Sequence, residues 1–191
     1  MKWVVSGFLA SVLGLAACSA NAAPAAYEVD PAHSSVVFSV AHLGLSRTTG
    51  RFLGLQGKFS YDAANIAASH AELSIDAGSV DTGHAERDQH LKSPDFFDAG
   101  QFPRIVFSST GVSGDADRFS LDGTVTMLGV SRPIHFSVEK IGEGRDPWGG
   151  KRAGFIATGK IRRSDFGMNF MPGAVGDEVE LSIQIEGLQQ Q

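Results

Sequence analysis

Cysteine is nearly absent from this chain: the 191 residues contain one, Cys18, and it lies in the apolar N-terminal segment. The residues after that segment therefore form no disulfide among themselves and offer neither a cysteine nucleophile nor a cysteine cluster for a metal ion. Tryptophan and tyrosine are also scarce, with two of each. Because outer-membrane barrels carry girdles of these aromatic residues at their strand ends, the scarcity argues against that class.

An excess of basic residues is missing too. The sequence has 16 Lys and Arg against 21 Asp and Glu, a formal net charge of −5. Without a basic stripe, nucleic acid is not expected as a partner. The glycine-rich fingerprint of dinucleotide-binding proteins and the Gly-x-Ser-x-Gly motif of serine hydrolases are absent as well, and Asp165-Phe166-Gly167 stands without the other kinase motifs. These absences favour a protein that is not an enzyme.

The N-terminus has the features of a secretory signal peptide. Lys2 is followed by an apolar run at residues 3–17 and by small residues at 20–22. This run is shorter than the roughly 20 residues that a transmembrane helix needs, and its order of charged, apolar and small regions is typical of export signals. We therefore predict a signal peptide over residues 1–22 and an exported, periplasmic protein.

Two processing routes fit this segment. Cleavage after Ala22 would release a soluble protein. Alternatively, Leu15-Ala16-Ala17-Cys18 is similar to the lipobox of bacterial lipoproteins. On that route the signal peptide would be residues 1–17, and a lipid on Cys18 would anchor the protein to a membrane. The sequence leaves both routes open.

Alternation of apolar and polar residues with a period of two dominates the chain after residue 33, as in Leu181 and Ile183 against Ser182 and Gln184. This period is that of a β-strand with one buried face. The predicted strands are residues 34–43, 52–62, 69–80, 104–112, 118–128, 132–142, 152–164 and 177–187. We place them in a single domain over residues 27–188.

Eight antiparallel strands, each with one apolar face, either pack as a two-layer sandwich or close into a barrel. Short connections at residues 114–117, 128–130 and 146–150 favour pairing of sequential strands, as in an up-and-down barrel. Glycines inside the strand segments, Gly123 and Gly159 among them, permit coiling or leave room beside a ligand. We predict an all-β, eight-stranded antiparallel barrel. Periodicity alone leaves open whether its interior is filled or hollow.

Residues 81–100 break the alternation and predict one helical insertion between the third and fourth strands. We expect Asp81 or Thr82 to cap a helix over residues 83–92. The cap residues supply a side-chain oxygen to backbone N–H groups that have no partner within the helix.

The residues after this helix predict one more helical turn. Ser93 is expected to cap the turn, Pro94 to preset its first φ angle, and Asp95 to face its positive end. Phe96 and Phe97 follow. Because the insertion connects two barrel strands, we expect both rings at one mouth of the barrel, as a lid or an end plug.

His84, Glu86, Asp88 and His90 form the densest cluster of candidate metal ligands. On a helix, residues four apart share a face, whereas residues two apart point in different directions. The four side chains therefore do not converge on one ion, and no metal site is predicted. A structural role is favoured. The alternative function kept open is an envelope hydrolase or stress-response enzyme that uses His and Asp groups near the helix.

A series of short motifs runs through the whole predicted domain. They are Asp30-x-x-His33-Ser34, His42-Leu43-Gly44, Gly50-x-Phe52, Asp81-Thr82-Gly83, Arg87-Asp88-x-His90-Leu91, Ser93-x-Asp95-Phe96-Phe97-Asp98, Phe102-Pro103 before Phe107, Leu128-Gly129-Val130, Ala153-Gly154-Phe155, Arg163-Ser164-Asp165-Phe166-Gly167-Met168 and Gly176-Asp177-Glu178-Val179. In this order and spacing the chain resembles the YceI-like family of secreted, lipid-binding or polyisoprenoid-binding proteins. No single motif is specific, but the series is.

The resemblance implies a lipocalin-like barrel that holds a long isoprenoid or similar lipid in its lumen and catalyses no reaction. An isoprenoid lipid or quinone would then be the ligand, with no other cofactor, and binding would serve transport or storage in the cell envelope. The oligomeric state stays open, a homodimer included. The side chains expected to contact the ligand are Phe38, Phe59, Leu73, Ile75, Phe96, Phe97, Phe107, Leu121, Val125, Phe136, Phe155, Leu181 and Ile183.

Overall fold

The computed structural model of the protein describes residues 23–190. The predicted signal peptide and Cys18 therefore lie outside the described residues. The strands are β1 (Ala25–Val29), β2 (Ser35–His42), β3 (Ser46–Phe52), β4 (Leu55–Tyr61), β5 (His70–Asp76), β6 (Val80–Asp81), β7 (Arg104–Gly114), β8 (Arg118–Met127), β9 (Val130–Arg145), β10 (Lys151–Arg162) and β11 (Val175–Gln189).

The helices of the described residues are one α-helix, α1 (Ala85–Leu91), and three short 3₁₀ helices at Ile66–Ala68, Ala77–Ser79 and Arg163–Phe166. Among the described residues, none of these helices is long and apolar enough to cross a membrane. They serve as connections between strands, and α1 with the turns after it forms the one sizeable insertion.

Eight strands close into an antiparallel barrel in the order β1-β4-β5-β7-β8-β9-β10-β11, and β11 pairs back with β1. From β4 to β11 the ring strands follow one another as a meander, and α1 lies between the third and fourth of the eight. The predicted fold class is confirmed. We call the end that carries α1 and residues 93–103 the helix end, and the end that carries the β7–β8 and β9–β10 turns the hairpin end.

The strand that closes the ring, β11, has two partners along one edge. Residues 187–189 pair with β1, whereas residues 175–184 pair with β2. β2 and β3 form a hairpin that extends the sheet beyond the ring, and β6 pairs with β3. The predicted first strand, residues 34–43, is therefore real but lies in this extension and not in the ring.

Three strands were not predicted as separate elements. One of them, β6, follows β5 after a 3₁₀ helix at Ala77–Ser79, where the sequence predicted a single strand over residues 69–80. β1 is short and lies in an Ala- and Pro-rich segment, and only Tyr27 and Val29 supply large buried side chains there. β3 consists mostly of polar residues because much of it is exposed at the sheet extension. The predicted strand 52–62 in fact begins at Leu55, after a break at which the Gly54 N–H donates to Ser79 Oγ at 2.8 Å.

The predicted cap of the helix was wrong. The residue before α1 is His84, whose Nδ1 accepts the Arg87 N–H at 3.4 Å. Asp81 instead pairs with Arg51 across the β3–β6 pair at 3.0 Å. Thr82 donates its N–H to Asp88 Oδ1 at 2.8 Å, so it joins the start of the insertion to the helix without capping it.

The helical turn predicted at Ser93 is a series of non-helical turns. Phe97 N–H donates to Leu91 O, and Asp98 N–H donates to Ser93 O, both at 2.9 Å. Ser93 Oγ does accept the Asp95 N–H at 3.3 Å. Asp98 has a φ of 42°, and this left-handed residue prevents a helix from continuing.

Arg152 joins three segments at the hairpin end. Its Nη1 donates to Asp30 Oδ2 and Glu186 Oε1, each at 2.7 Å, and its Nε donates to Asp146 Oδ2 at 2.8 Å. His33 Nδ1 lies 2.8 Å from the same Asp30 oxygen. Asp30, His33 and Glu186 are close enough to hold a metal ion, but the guanidinium group is bonded to both carboxylates. The cluster is an ion-pair network that fixes the β1–β2 connection to β11.

We expect Asp30→Asn to make the free energy of unfolding depend less on pH in the acidic range. The hydrogen bonds from Arg152 and His33 lower the pKa of Asp30 to about 2, whereas an unfolded aspartate titrates near 3.9. Because the folded pKa is depressed, the stabilisation is present above about pH 4 and is lost as the pH falls towards 2. Urea unfolding measured from pH 2 to 7 tests this.

The control for this prediction is the same substitution in an Arg152→Met background. There the main partner of Asp30 is already absent, so Asp30→Asn should change the pH profile much less. Parallel profiles for the wild-type protein and Asp30→Asn would contradict the assignment of acid sensitivity to this network.

Candidate functional site

The barrel encloses a cavity of about 200 Å³. Its wall consists almost entirely of apolar side chains contributed by every ring strand except β1, by β2 and β3, and by the insertion. The thirteen residues predicted as ligand contacts all lie on this wall: Phe38, Phe59, Leu73, Ile75, Phe96, Phe97, Phe107, Leu121, Val125, Phe136, Phe155, Leu181 and Ile183. The structure thus brings them together on one surface, and their contact with a ligand stays a prediction.

Strand alternation explains why so many wall residues could be found from sequence. In β11, Val179, Leu181, Ile183 and Ile185 all line the cavity, while the residues between them do not. Successive side chains of a strand point to opposite faces, so one residue known to face the lumen identifies the others. The apolar face is the inner face of the barrel.

Sequence reasoning missed a second group of wall residues. They are Val36, Val40, Phe52, Ser60, Tyr61, Ser69, His70, Leu91, Ile105, Val112, Phe119, Met127, Ile134, Val138, Ala157, Ile161, Arg163, Met168, Val175, Val179 and Ile185. Most share a strand face with a predicted residue, so the same alternation would have found them. The polar members carried no such signal.

Glycines beside the aromatic rings keep the lumen open. A Cβ atom on Gly123 would collide with the ring of Phe107, and one on Gly159 would collide with the ring of Phe136. The two rings also meet edge to face at 5.6 Å between centroids. Each ring thus occupies the space that a neighbouring side chain would fill. The large side chains pack against the barrel wall instead of filling its centre.

Aromatic side chains close the helix end of the cavity. Phe97 packs edge to face on Phe52 at 5.3 Å, and Phe96 packs on Phe170 at 5.5 Å. His90 lies 5.1 Å from the rings of both Phe96 and Phe170. Phe96 and Phe97 both line the cavity, so the insertion covers this end with hydrocarbon.

Arg163 is the one charged side chain on the cavity wall within the described residues, and it is only 5% exposed. Its guanidinium group donates to the backbone oxygens of Met168, Val175 and Gly176 at 2.8 to 2.9 Å. Within the part of the chain that the structure describes, it forms no ion pair with a carboxylate. Its bonds hold the loop at residues 168–176 against the helix end.

We expect Arg163→Met to destabilise the protein by roughly 3 kcal/mol, because one buried and two partly buried carbonyl groups would lose a charged donor. The midpoint of urea unfolding measures this loss. Arg162→Met is the matched control, since Arg162 is the exposed neighbour at the end of β10 and its substitution should cost less than about 0.5 kcal/mol. Equal effects of the two substitutions would show that the carbonyl bonds of Arg163 contribute little.

Polar groups border the cavity at the hairpin end. Ser60, Ser69 and His70 lie on its wall there, and His70 is the only wall residue among those described that is exposed to solvent. The imidazole is positioned by Ser109, whose Oγ lies 2.7 Å from His70 Nδ1 and accepts the Ala71 N–H at 2.9 Å. The cavity is therefore lined by phenylalanine rings and the backbone-bonded Arg163 at the helix end, and it has a polar opening beside the exposed His70 at the hairpin end.

A second group of polar side chains lies at the hairpin end, around the wall residue Tyr61. Lys140 Nζ lies 4.8 Å above the ring of Tyr61 and donates to Glu143 Oε2 at 2.9 Å. Burial alone would lower the pKa of Lys140, but its hydrogen bonds to Glu143 and Tyr61 outweigh burial and raise it. Tyr27 donates to Glu143 Oε1 at 3.3 Å, and burial raises the pKa of Tyr27.

The geometry does not assemble a hydrolase site from these groups. Glu72 Oε1 lies 3.5 Å from His70 Nε2, which is too long for a strong hydrogen bond, and Glu72 pairs with Lys58 at 3.2 Å. Ser109 is buried, and its oxygen already accepts a backbone N–H. This Ser–His contact therefore lacks both an orienting carboxylate and an accessible nucleophile.

The histidines near α1 also have structural bonds. His84 accepts the Arg87 N–H at the start of the helix, as described above. His90 Nε2 lies 2.9 Å from Asp95 Oδ2 and its ring packs on Phe96. These contacts join α1 to the turns that follow it, in agreement with the structural role favoured from the sequence.

Comparison with known proteins agrees with this architecture. The model of the YceI-like domain matches residues 27–187. The chain belongs to the YceI-like family. Protein YceI of Escherichia coli O157:H7 is 42% identical over 190 residues, and the match covers 100% of both chains.

Two solved structures share the fold of this YceI-like protein. The crystal structure of BcnA from Burkholderia cenocepacia matches with a TM-score of 0.75 and 23% identity, over 83% of this chain and 98% of that one. A polyisoprenoid binding domain from Saccharophagus degradans, implicated in plant cell wall breakdown, matches with a TM-score of 0.65 and 17% identity, over 87% and 99%. At these low identities the two structural matches establish the fold, a lipocalin-like barrel, and nothing further.

Proposed function

We propose that this YceI-like protein binds the hydrocarbon chain of an isoprenoid or similar lipid in its lumen and carries or stores that lipid without chemical change. The observation that carries the proposal is the apolar, unfilled cavity, whose long walls contain no charged group other than Arg163 at one end. A structural relative named for polyisoprenoid binding supports the ligand class. An isoprenoid quinone is one member of that class.

The dimensions of the cavity favour a single extended chain. On β11 the wall residues run from Val175 to Ile185, and strand geometry makes this path roughly 30 Å long, about the hydrocarbon thickness of a bilayer. An apolar cavity of about 150 Å³ already accepts benzene. A cavity of about 200 Å³ spread along this path is therefore narrow and suits one chain without bulky branches.

Burial of the chain supplies the affinity. Each buried methylene contributes about 0.8 kcal/mol, so ten of them contribute roughly 8 kcal/mol before the ordering of the ligand is subtracted. The unequal ends favour one orientation, with the tail tip against Phe96 and Phe97 and the polar end beside His70 and Ser69. The hydroxyl and imidazole groups at that opening can form hydrogen bonds with the polar end of the lipid. No charged group has to lose its hydration for these bonds to form.

Variants of the lumen test the proposal. We expect wild-type protein to co-purify with an isoprenoid lipid, detected by extraction and mass spectrometry, or to take up isoprenoid quinone when emptied. Ala157→Phe places a ring in the cavity and should lower lipid occupancy at least about tenfold while the barrel stays folded. Thermal unfolding by circular dichroism reports the folding of each variant.

Thr158→Phe is the matched control for Ala157→Phe. It adds the same ring at the next position of β10, where the side chain is exposed on the outer face. Equal occupancy in wild-type protein, Ala157→Phe and Thr158→Phe would place the lipid outside the lumen. Wild-type protein that neither retains a lipid nor takes up isoprenoid quinone would refute the proposal as a whole.

We also propose that the protein is exported to the periplasm and works in the cell envelope. The signal-peptide pattern at residues 1–22 supports export, and the lipobox-like residues before Cys18 support lipidation. Radiolabelled palmitate should label the wild-type protein but not Cys18→Ala if the protein is anchored. Label in neither protein, with an N-terminus at Ala23, would show soluble secretion instead.

A further inference from the structure

A β-hairpin arm, residues 140–152, projects at the hairpin end beyond its neighbour β8. The pairing of β8 with β9 ends at Arg118 and Glu139, whereas β9 and β10 continue to pair as far as Arg145 and Lys151. Six residues of β9 thus extend past β8, over roughly 20 Å. The arm and the polar opening of the cavity lie at the same end of the barrel.

The turn of this arm displays Trp148, which is 86% exposed. The turn is nevertheless ordered, because Asp146 Oδ1 accepts the N–H groups of Trp148 and Gly150 at 2.9 and 2.8 Å. Arg152 holds the other oxygen of Asp146 at 2.8 Å. Ile141, 62% exposed, adds a second apolar side chain to the arm. The backbone of the turn therefore needs no further ordering to present the indole ring to a partner.

Unpaired cations flank the tryptophan. The arm contains four basic and two acidic residues in a chain whose formal net charge is −5. Lys140 pairs with Glu143, and Arg152 pairs with Asp146. Arg145 and Lys151, which face each other across the arm, make no ion pair with any other residue that the structure describes. The tip therefore combines an exposed indole with two available positive charges.

We propose that this arm docks the protein onto a lipid surface, with Trp148 in the headgroup region and Arg145 and Lys151 against lipid phosphates. Tryptophan beside lysine or arginine is the usual composition of protein segments at a membrane interface. The inference rests on the proposed function, because docking at this end would place the polar opening of the cavity towards the membrane that supplies or receives the lipid. A second copy of the chain is a less suitable partner for the arm, because two arms paired about a two-fold axis would place like charges opposite each other.

The barrel domain, residues 23–191, suits a direct test. All strands of the closed ring and its buried apolar cluster lie within residues 25–189, so this part contains the complete ring without residues 1–22. This domain contains Trp148 as its single tryptophan, the other being Trp3. With vesicles of phosphatidylcholine and phosphatidylglycerol, we expect blue-shifted emission, quenching by brominated acyl chains and flotation of protein with the vesicles.

Substitutions on the arm should weaken vesicle binding. Trp148→Ser should lower it roughly tenfold or more. Each cation near an anionic surface contributes roughly fivefold, so Arg145→Ser with Lys151→Ser should lower it about 25-fold and remove most of its salt dependence. Leu45→Ser is the control, because Leu45 is also 86% exposed but lies at the helix end of the molecule.

The outcomes separate docking from lipid binding. Uptake of isoprenoid quinone from detergent should be unchanged in Trp148→Ser, so a loss of vesicle binding alone supports docking by the arm. Absence of blue shift and flotation in wild-type protein, or equal weakening by Leu45→Ser, would overturn the docking proposal and leave the lumen proposal standing. A blue shift that depends on protein concentration without vesicles would assign the arm to self-association and also overturn it.

Discussion

Closure of the sheet into a ring is the constraint on which the rest of this structure depends. An open sheet exposes unpaired backbone groups at its edges, and a barrel removes those edges. Here one edge of β11 must serve two partners, with β1 at the hairpin end and β2 along the rest. The crossing from one partner to the other occurs at Asp30, where Arg152 supplies the compensating ion pairs. Short β1 is thus held in the ring by its pairing with β4 and β11, by the buried Tyr27 and Val29, and by the charged network at its end.

A closed ring of eight strands is close to the size at which side chains alone would fill the interior. This barrel avoids filling by pairing large rings with glycines on the adjacent strand, as for Phe107 with Gly123 and Phe136 with Gly159. Each pair keeps a ring near the wall and leaves the axis free. Hydrophobic burial still stabilises the fold, because the rings contact each other edge to face. The same residues therefore stabilise the fold and leave a cavity along the barrel axis.

The sequence predicted those parts of the structure that depend on local alternation. Ring strands such as β8 and β11 each have a polar outer face and an apolar inner face. Their inward residues could therefore be identified from the alternation of polar and apolar residues in the sequence. β1 and β3 lack that signal, since one is short and the other is polar and partly exposed. The cap at His84 was missed because aspartate and threonine are the commoner caps, and both were already bonded elsewhere. Composition did not reveal the vacancy of the lumen, which depends on contacts between strands.

The polar opening was also beyond local reasoning, because it depends on residues far apart in sequence. His70 begins β5, Ser109 belongs to β7, and Lys140 reaches the ring of Tyr61 from β9. Pairing of β5 with β7 brings His70 to Ser109, and closure of the ring brings Lys140 to Tyr61. The other end is covered by Phe96 and Phe97 from a single insertion, which is local and was predictable. Under the proposed lipid binding, the polar end of an amphiphile would lie at the hairpin end, where hydroxyl and imidazole groups are available. The helix end offers phenylalanine rings and Arg163, whose guanidinium group is already bonded to three backbone oxygens. The difference between the two ends, more than the volume between them, would therefore set the orientation of such a ligand.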